Sequence, residues 1–72
     1  MEFNIVKQII AEVLKVDVRE ISKDTTLVLD LGADSLDIMR ILKNIEAKFG
    51  IVIDKISINA IETVDDVLKL IK

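Results

Sequence analysis

No cysteine occurs anywhere in this chain of 72 residues. Neither a disulfide nor a thiolate metal site can staple it, so the fold rests on packing and hydrogen bonding alone. A chain this short buries only roughly 60% of the surface its unfolded form exposes, and marginal stability is expected. Core material is nonetheless ample: 51% of the residues are hydrophobic, but only Phe3 and Phe49 are aromatic. The core is therefore read as Ile, Leu and Val, within a single domain over residues 1–72.

Histidine is absent too, which removes the commonest general base and the commonest neutral metal ligand. Enzymatic chemistry is not expected. With 10 Lys and Arg against 13 Asp and Glu, the net charge is −3, and the basic footprint that nucleic acid requires is missing. Unbroken apolar runs are only a few residues long, and no basic segment leads into one at the start. The reading is a soluble, cytoplasmic monomer with no membrane insertion.

Hydrophobic spacing organises the chain. Phe3, Val6, Ile10, Val13 and Leu14 recur at helical intervals, and Ile5 and Ile9 widen the face, so a first helix is expected over residues 3–14. Residues 16–33 scatter Val18, Ile21, Leu27, Leu29 and Leu31 among Asp, Ser, Thr and Lys without a sustained period. They are read as a long loop pinned to the core by Leu27 and Leu31, and loops of this length in small domains are more often functional than idle. A second helix is expected from residue 34 or 35 to residue 49, burying Ile38, Leu42, Ile45 and Phe49 and stopped by Gly50. In residues 51–58 the alternation of Ile51, Ile53, Ile56 and Ile58 permits two short strands. A lone hairpin is marginal, and an extended link into a short third helix near residues 57–61 is preferred. Thr63 followed by Asp66 has the spacing of a capping box and opens a last helix carrying Val64, Val67, Leu68 and Ile71. The expected fold is all-α: a small four-helix bundle with a long loop between its first two helices and a short third helix.

Chemistry concentrates in Asp30-Leu31-Gly32-Ala33-Asp34-Ser35-Leu36-Asp37, where the loop enters the second helix. Asp34 is a good N-cap, and Asp37 falls within the positive end of the helix dipole. Ser35 is then the first helical residue, with its hydroxyl facing solvent beside unsatisfied amides that favour a phosphate ester. Gly32 lets the chain turn tightly just before the helix. Taken alone, Asp-Ser ahead of an apolar helix is ordinary capping. With the buried stripe turned inward, Leu36 and Met39 lie on the outer side near Ser35, with Arg40 and Lys43 beside them.

The run from Leu27 to Leu36 closely resembles the modification site of acyl carrier proteins, whose pattern is Asp-Leu-Gly, then Ala, Leu or Met, then Asp-Ser-Leu. The resemblance extends over nearly the whole chain: an amphipathic first helix, the long loop, Phe-Gly closing the second helix, and Thr-Val opening the last. It implies that a phosphopantetheinyl transferase moves 4'-phosphopantetheine from coenzyme A onto Ser35, beside Asp34, and that the terminal thiol of this arm holds the acyl group as a thioester. The protein supplies attachment and delivery while the cofactor supplies the reactive atom.

The same resemblance makes Leu36, Asp37, Met39, Arg40, Lys43 and Glu46 a docking face for acyl-transferring and acyl-modifying enzymes. In the family this helix is usually rich in acid, commonly with an acidic residue where Arg40 stands here. Asp34, Asp37 and Glu46 are balanced in this chain by Arg40, Lys43 and Lys48, a departure that points away from the standard fatty-acid enzymes as partners. Ile45, Ile53 and Ile61 correspond to positions lining the acyl cavity of fatty-acid carriers; plain core packing is the alternative, because cores and pocket linings share one composition.

Other functions fit less well. A Ser35 nucleophile needs an adjacent base, and without histidine only a lysine remains. Asp30, Asp34 and Asp37 lack the spacing of an EF-hand and its glutamate at the last loop position, so no metal site is assigned. An interaction domain left unmodified at Ser35 is the rival from another class. Among carriers, fatty acyl or polyketide work is preferred to a D-alanyl, aminoacyl or peptidyl role on the Gly-Ala-Asp-Ser-Leu form of the motif.

Overall fold

The computed structural model describes residues 2–53 and 60–71. Over these residues the chain forms three α helices, α1 (Glu2–Leu14), α2 (Ser35–Phe49) and α3 (Val64–Ile71), and one turn of 3-10 helix at Val18–Glu20. The all-helical expectation stands. The bundle has three α helices among the described residues where four were expected; of the short third helix expected near residues 57–61, residues 57–59 lie outside the described region and Ile61 is not helical. No described helix is long and apolar enough to cross a membrane.

Val6 and Ile10 bury the inner stripe of α1, and Phe3, Ile9, Val13 and Leu14 pack along its margins. The helix ends in an unusual way. Lys15 takes a left-handed conformation with φ 58°, and the Val16 N–H reaches back to the Ala11 carbonyl at 3.2 Å, closing the last turn in the Schellman pattern that usually employs glycine. In α2 the buried stripe is Ile38, Ile41, Leu42 and Ile45. Ile41 is completely enclosed, although the expected stripe passed over it, and Phe49 is only half-buried. Each such aliphatic side chain contributes about 1.5–3 kcal/mol over remaining in water, so these few residues decide whether the domain folds. Gly50 stops α2 at φ 67°, with its own N–H and that of Ile51 both donating to the Glu46 carbonyl.

The long loop is held more tightly than its composition suggests. Ile21, Leu27 and Ala33 are buried in the core, with Leu31 packed at its edge. The loop also pairs with the start of α3: Thr26 and Thr63 form an antiparallel bridge, the Leu27 N–H donates to the Glu62 carbonyl at 2.9 Å, and the Val64 and Asp65 N–H groups donate to the carbonyls of Thr25 and Lys23 at 3.0 Å. Those last two donors belong to the first turn of α3, where no intrahelical acceptor exists. The Thr63 and Asp66 capping box forms as expected, Asp66 N–H to Thr63 Oγ1 at 3.2 Å and Thr63 N–H to Asp66 Oδ2 at 3.1 Å. The Asp66 carboxylate also accepts the Glu62 N–H at 2.9 Å. Loop and last helix thus fix each other, and the far end of the loop is delivered to α2 in one position.

Candidate functional site

Three devices place Ser35. The turn from Thr26 to Asp30 is clasped on itself: Thr26 N–H donates to Asp30 Oδ2 at 2.9 Å, and Asp30 N–H donates to Thr26 Oγ1 at 3.1 Å. The Asp30 carboxyl is held below the usual carboxylate range, chiefly by the Thr26 backbone N–H donating to it and secondly by the Thr26 hydroxyl. Next, Gly32 adopts φ 72° with open space around it, a conformation that a side chain would strain. The Ala33 N–H then donates to the Leu27 carbonyl at 2.9 Å, and the Ala33 methyl group is buried. With Ala33 turned inward and Asp34 extended at φ −103° and ψ −178°, the chain enters α2 with Ser35 exposed.

The cap is reciprocal. Asp34 Oδ1 accepts the Asp37 N–H at 2.8 Å, and Asp37 Oδ2 accepts the Asp34 N–H at 3.2 Å; the Asp34 carbonyl takes the Ile38 N–H at 3.0 Å. Asp34 is therefore the N-cap, as its sequence position suggested, and Asp37 does more than complement the dipole. Among the described residues the Ser35 hydroxyl makes no hydrogen bond, and the N–H groups of Ser35 and Leu36 at the helix start have no acceptor. An exposed hydroxyl beside free amides at the positive end of a helix suits a phosphodiester. The nearby carboxylates of Asp34 and Asp37 oppose that charge, but one oxygen of each is turned to the backbone donor that it caps.

The other sequence-assigned residues divide by exposure. Leu36 is 63% exposed and Met39 37%, and both Arg40 and Lys43 are exposed. Their spacing puts all four on one stripe of α2 leading away from Ser35. Asp37 and Glu46 sit differently: the Asp37 carboxylate caps the helix, and Glu46 Oε2 accepts the Ile53 N–H at 2.7 Å from a partly buried position. Glu46 is engaged in tying down the chain beyond Gly50. Ile45 and Ile61 belong to the buried core cluster, and Ile53 packs against it beside residues 54–59, which lie outside the described region.

Two features were not assigned from sequence. The clasped turn presents Val28, 52% exposed, and Leu29, 87% exposed, close in sequence to Ser35; the Thr-x-x-x-Asp spacing was its available signal. Glu12, Val13 and Lys15 at the end of α1 also line an open groove together with Arg40, Lys43 and Asn44 of α2. That meeting of distant segments has no local sequence signal.

Comparison with known proteins agrees with this geometry. A family model described as the phosphopantetheine attachment site matches residues 4–71. An acyl carrier protein of Thermotoga maritima is 39% identical over 70 residues, covering 97% of this chain and 86% of the relative. An acyl carrier protein of a Sulfurovum species is 41% identical over 70 residues, covering 97% of this chain and 93% of the relative. A solved Mycobacterium tuberculosis structure, described as a candidate acyl carrier protein, superposes with a TM-score of 0.92 at 31% identity, covering 99% of this chain and 95% of that one. The chain belongs to the phosphopantetheine-binding family of acyl carrier proteins.

Proposed function

We propose that Ser35 receives the 4'-phosphopantetheine arm, and that residues 1–72 form one carrier domain presenting acyl thioesters to enzymes of fatty-acid, polyketide or related specialised synthesis. The observation that carries the reading is the exposed Ser35 hydroxyl at the start of α2, unused because Asp34 and Asp37 satisfy the cap between them. In the transfer, Ser35 Oγ forms a bond to the phosphorus of coenzyme A nearest the pantetheine, the bond from that phosphorus to the nucleotide half breaks, and the hydroxyl proton passes to a base of the transferase. The chain makes no bonds of its own beyond this attachment. It has no histidine, and the thiol that holds the acyl group comes with the arm. Tethering then raises the effective concentration of the cargo at each docked enzyme.

Intact mass before and after incubation with coenzyme A and a broad phosphopantetheinyl transferase tests the attachment. A gain of one phosphopantetheine, lost in Ser35→Ala, is expected; a parent chain unchanged in mass leaves the unmodified interaction domain as the better reading. The pathway is approached through charge. Arg40 and Lys43 oppose a basic docking patch, and like charges across an interface cost affinity and association rate. Arg40→Glu combined with Lys43→Glu should therefore tighten binding to a fatty-acid ketosynthase with such a patch, and the gain should shrink as salt rises.

A further inference from the structure

We infer that the groove between the end of α1 and the middle of α2 is a recognition surface of its own, and that what it receives is an acidic surface of a partner protein. The groove is lined by Glu12, Val13, Lys15, Arg40, Lys43 and Asn44. Three cations thus gather around one carboxylate, in a chain whose net charge is −3. The ion pairs among the described residues lie elsewhere, Arg19 with Asp17 and Lys69 with Asp65. Lys15, Arg40 and Lys43 therefore form no ion pair among the described residues, and with only Glu12 to offset three cations in the groove lining a positive field is left for an approaching partner.

Lys15 adds an independent observation. It holds φ 58° at the helix-ending position where glycine is cheaper, and a side chain there costs free energy. A side chain kept in a strained conformation is an outlier from which a role can be inferred; here its effect is to set a third positive charge beside Arg40 and Lys43.

Position supports a role in docking. Arg40 and Lys43 continue the stripe begun by exposed Leu36 and Met39, and Lys43 lies roughly 12 Å along the helix axis from Ser35. An enzyme reaching the end of the arm at Ser35 thereby covers the groove as well. Chemistry selects the partner class. A membrane or a nucleic acid is negative over its whole extent and meets Asp30, Asp34 and Asp37 at the Ser35 end, whereas a protein surface sets acid opposite the three cations and apolar atoms opposite Leu36 and Met39.

This inference rests on the carrier reading only for where enzymes dock, and unmodified protein tests it. The probe is a capped synthetic peptide of alternating Glu and Leu, titrated into isotope-labelled chain and followed by amide chemical shifts. A peptide with Lys in place of Glu and phosphatidylglycerol vesicles are the comparisons. Shifts confined to residues 12–15 and 36–44, fading with salt and abolished by Arg40→Glu with Lys43→Glu, are expected. Lys15→Gly should weaken peptide binding several-fold while raising the melting temperature, a combination that a purely structural lysine does not give. Equal response to the Lys peptide, shifts that survive charge reversal, or vesicle binding as strong as peptide binding would overturn the inference. The same samples go to the mass measurement with coenzyme A and transferase. A parent that binds the peptide yet gains no mass rejects the Ser35 reading alone, and one that gains mass yet ignores the peptide rejects the groove alone.

Discussion

Asp34 and Asp37 cap α2 reciprocally, each carboxylate accepting the other residue's backbone N–H, at 2.8 and 3.2 Å. Ser35 stands between them with a hydroxyl that the helix does not need. The residue that carries the chemistry is in this way uncoupled from those that hold the helix start, so attachment and stability respond to different substitutions.

Ser35→Ala should abolish the mass gain with coenzyme A and transferase while changing stability by less than about 0.5 kcal/mol, as exposed substitutions away from caps and cores do. Asp34→Ala should cost about 1 kcal/mol and slow modification, because the orientation of Ser35 depends on the cap. Urea unfolding alongside time-resolved mass measurement separates the two. A Ser35→Ala protein as weakened as Asp34→Ala would show that the hydroxyl is part of the cap.

Ile45 is fully enclosed between the helices, and Ile45→Ala should destabilise the unmodified domain by about 2–5 kcal/mol. Domains have only about 5–15 kcal/mol to lose, and small ones sit at the low end, so a large drop in melting temperature is expected. An unchanged melt would mean that the side chain lines a compliant cavity rather than the packed core.

How far the sequence revealed this structure depended on where each signal lay. Asp34, Gly50 and the pair Thr63 and Asp66 act within a few residues of themselves, and the structure places them as their spacing suggested. The buried face of α2 was legible in part: Ile38, Leu42 and Ile45 mark it, but Ile41 is equally enclosed, since a core-facing stripe is wider than one residue per turn. Glu46 illustrates the limit at the site. The family resemblance put it on the docking face; its carboxylate also accepts the Ile53 N–H, and nothing in a sequence says which backbone donor a glutamate will meet. The loop was the least legible element. Its pairing with residues 62–65 joins peptide groups far apart in sequence, and such bonds carry no side-chain code.

Lys15 supplies a prediction of opposite sign. Because it occupies a left-handed position, Lys15→Gly should stabilise the domain by up to about 1 kcal/mol, relief of side-chain strain outweighing the extra freedom of glycine in the unfolded chain. Lys15→Ala keeps the strain without the charge and should show no gain. Denaturant midpoints of the three proteins are the measurement, and equal midpoints for the Gly and Ala variants would remove strain as the explanation.

Acid should loosen the loop that delivers Ser35, through Asp30 and Asp66. Asp30 is held below the ordinary carboxylate range chiefly by the Thr26 backbone N–H and then by the Thr26 hydroxyl, and Asp66 by the N–H groups of Glu62 and Thr63. A carboxyl whose folded value is depressed binds a proton more readily when unfolded, so its contribution is complete above the unfolded value of about 3.9 and is lost as pH falls below that toward the folded value. Both groups grip the same assembly, Asp30 closing the turn at Thr26 and Asp66 closing the start of α3, to which that turn is bridged. Asn at either position keeps an acceptor oxygen but cannot titrate, which isolates the charge. Asp30→Asn and Asp66→Asn should each be less stable than the parent at neutral pH, and each difference should shrink as pH drops through about 4. Urea unfolding at a series of pH values reads this directly. Differences that stay constant down to the acid limb would mean that the two carboxylates act only as acceptors, and that the acid sensitivity of the domain resides elsewhere.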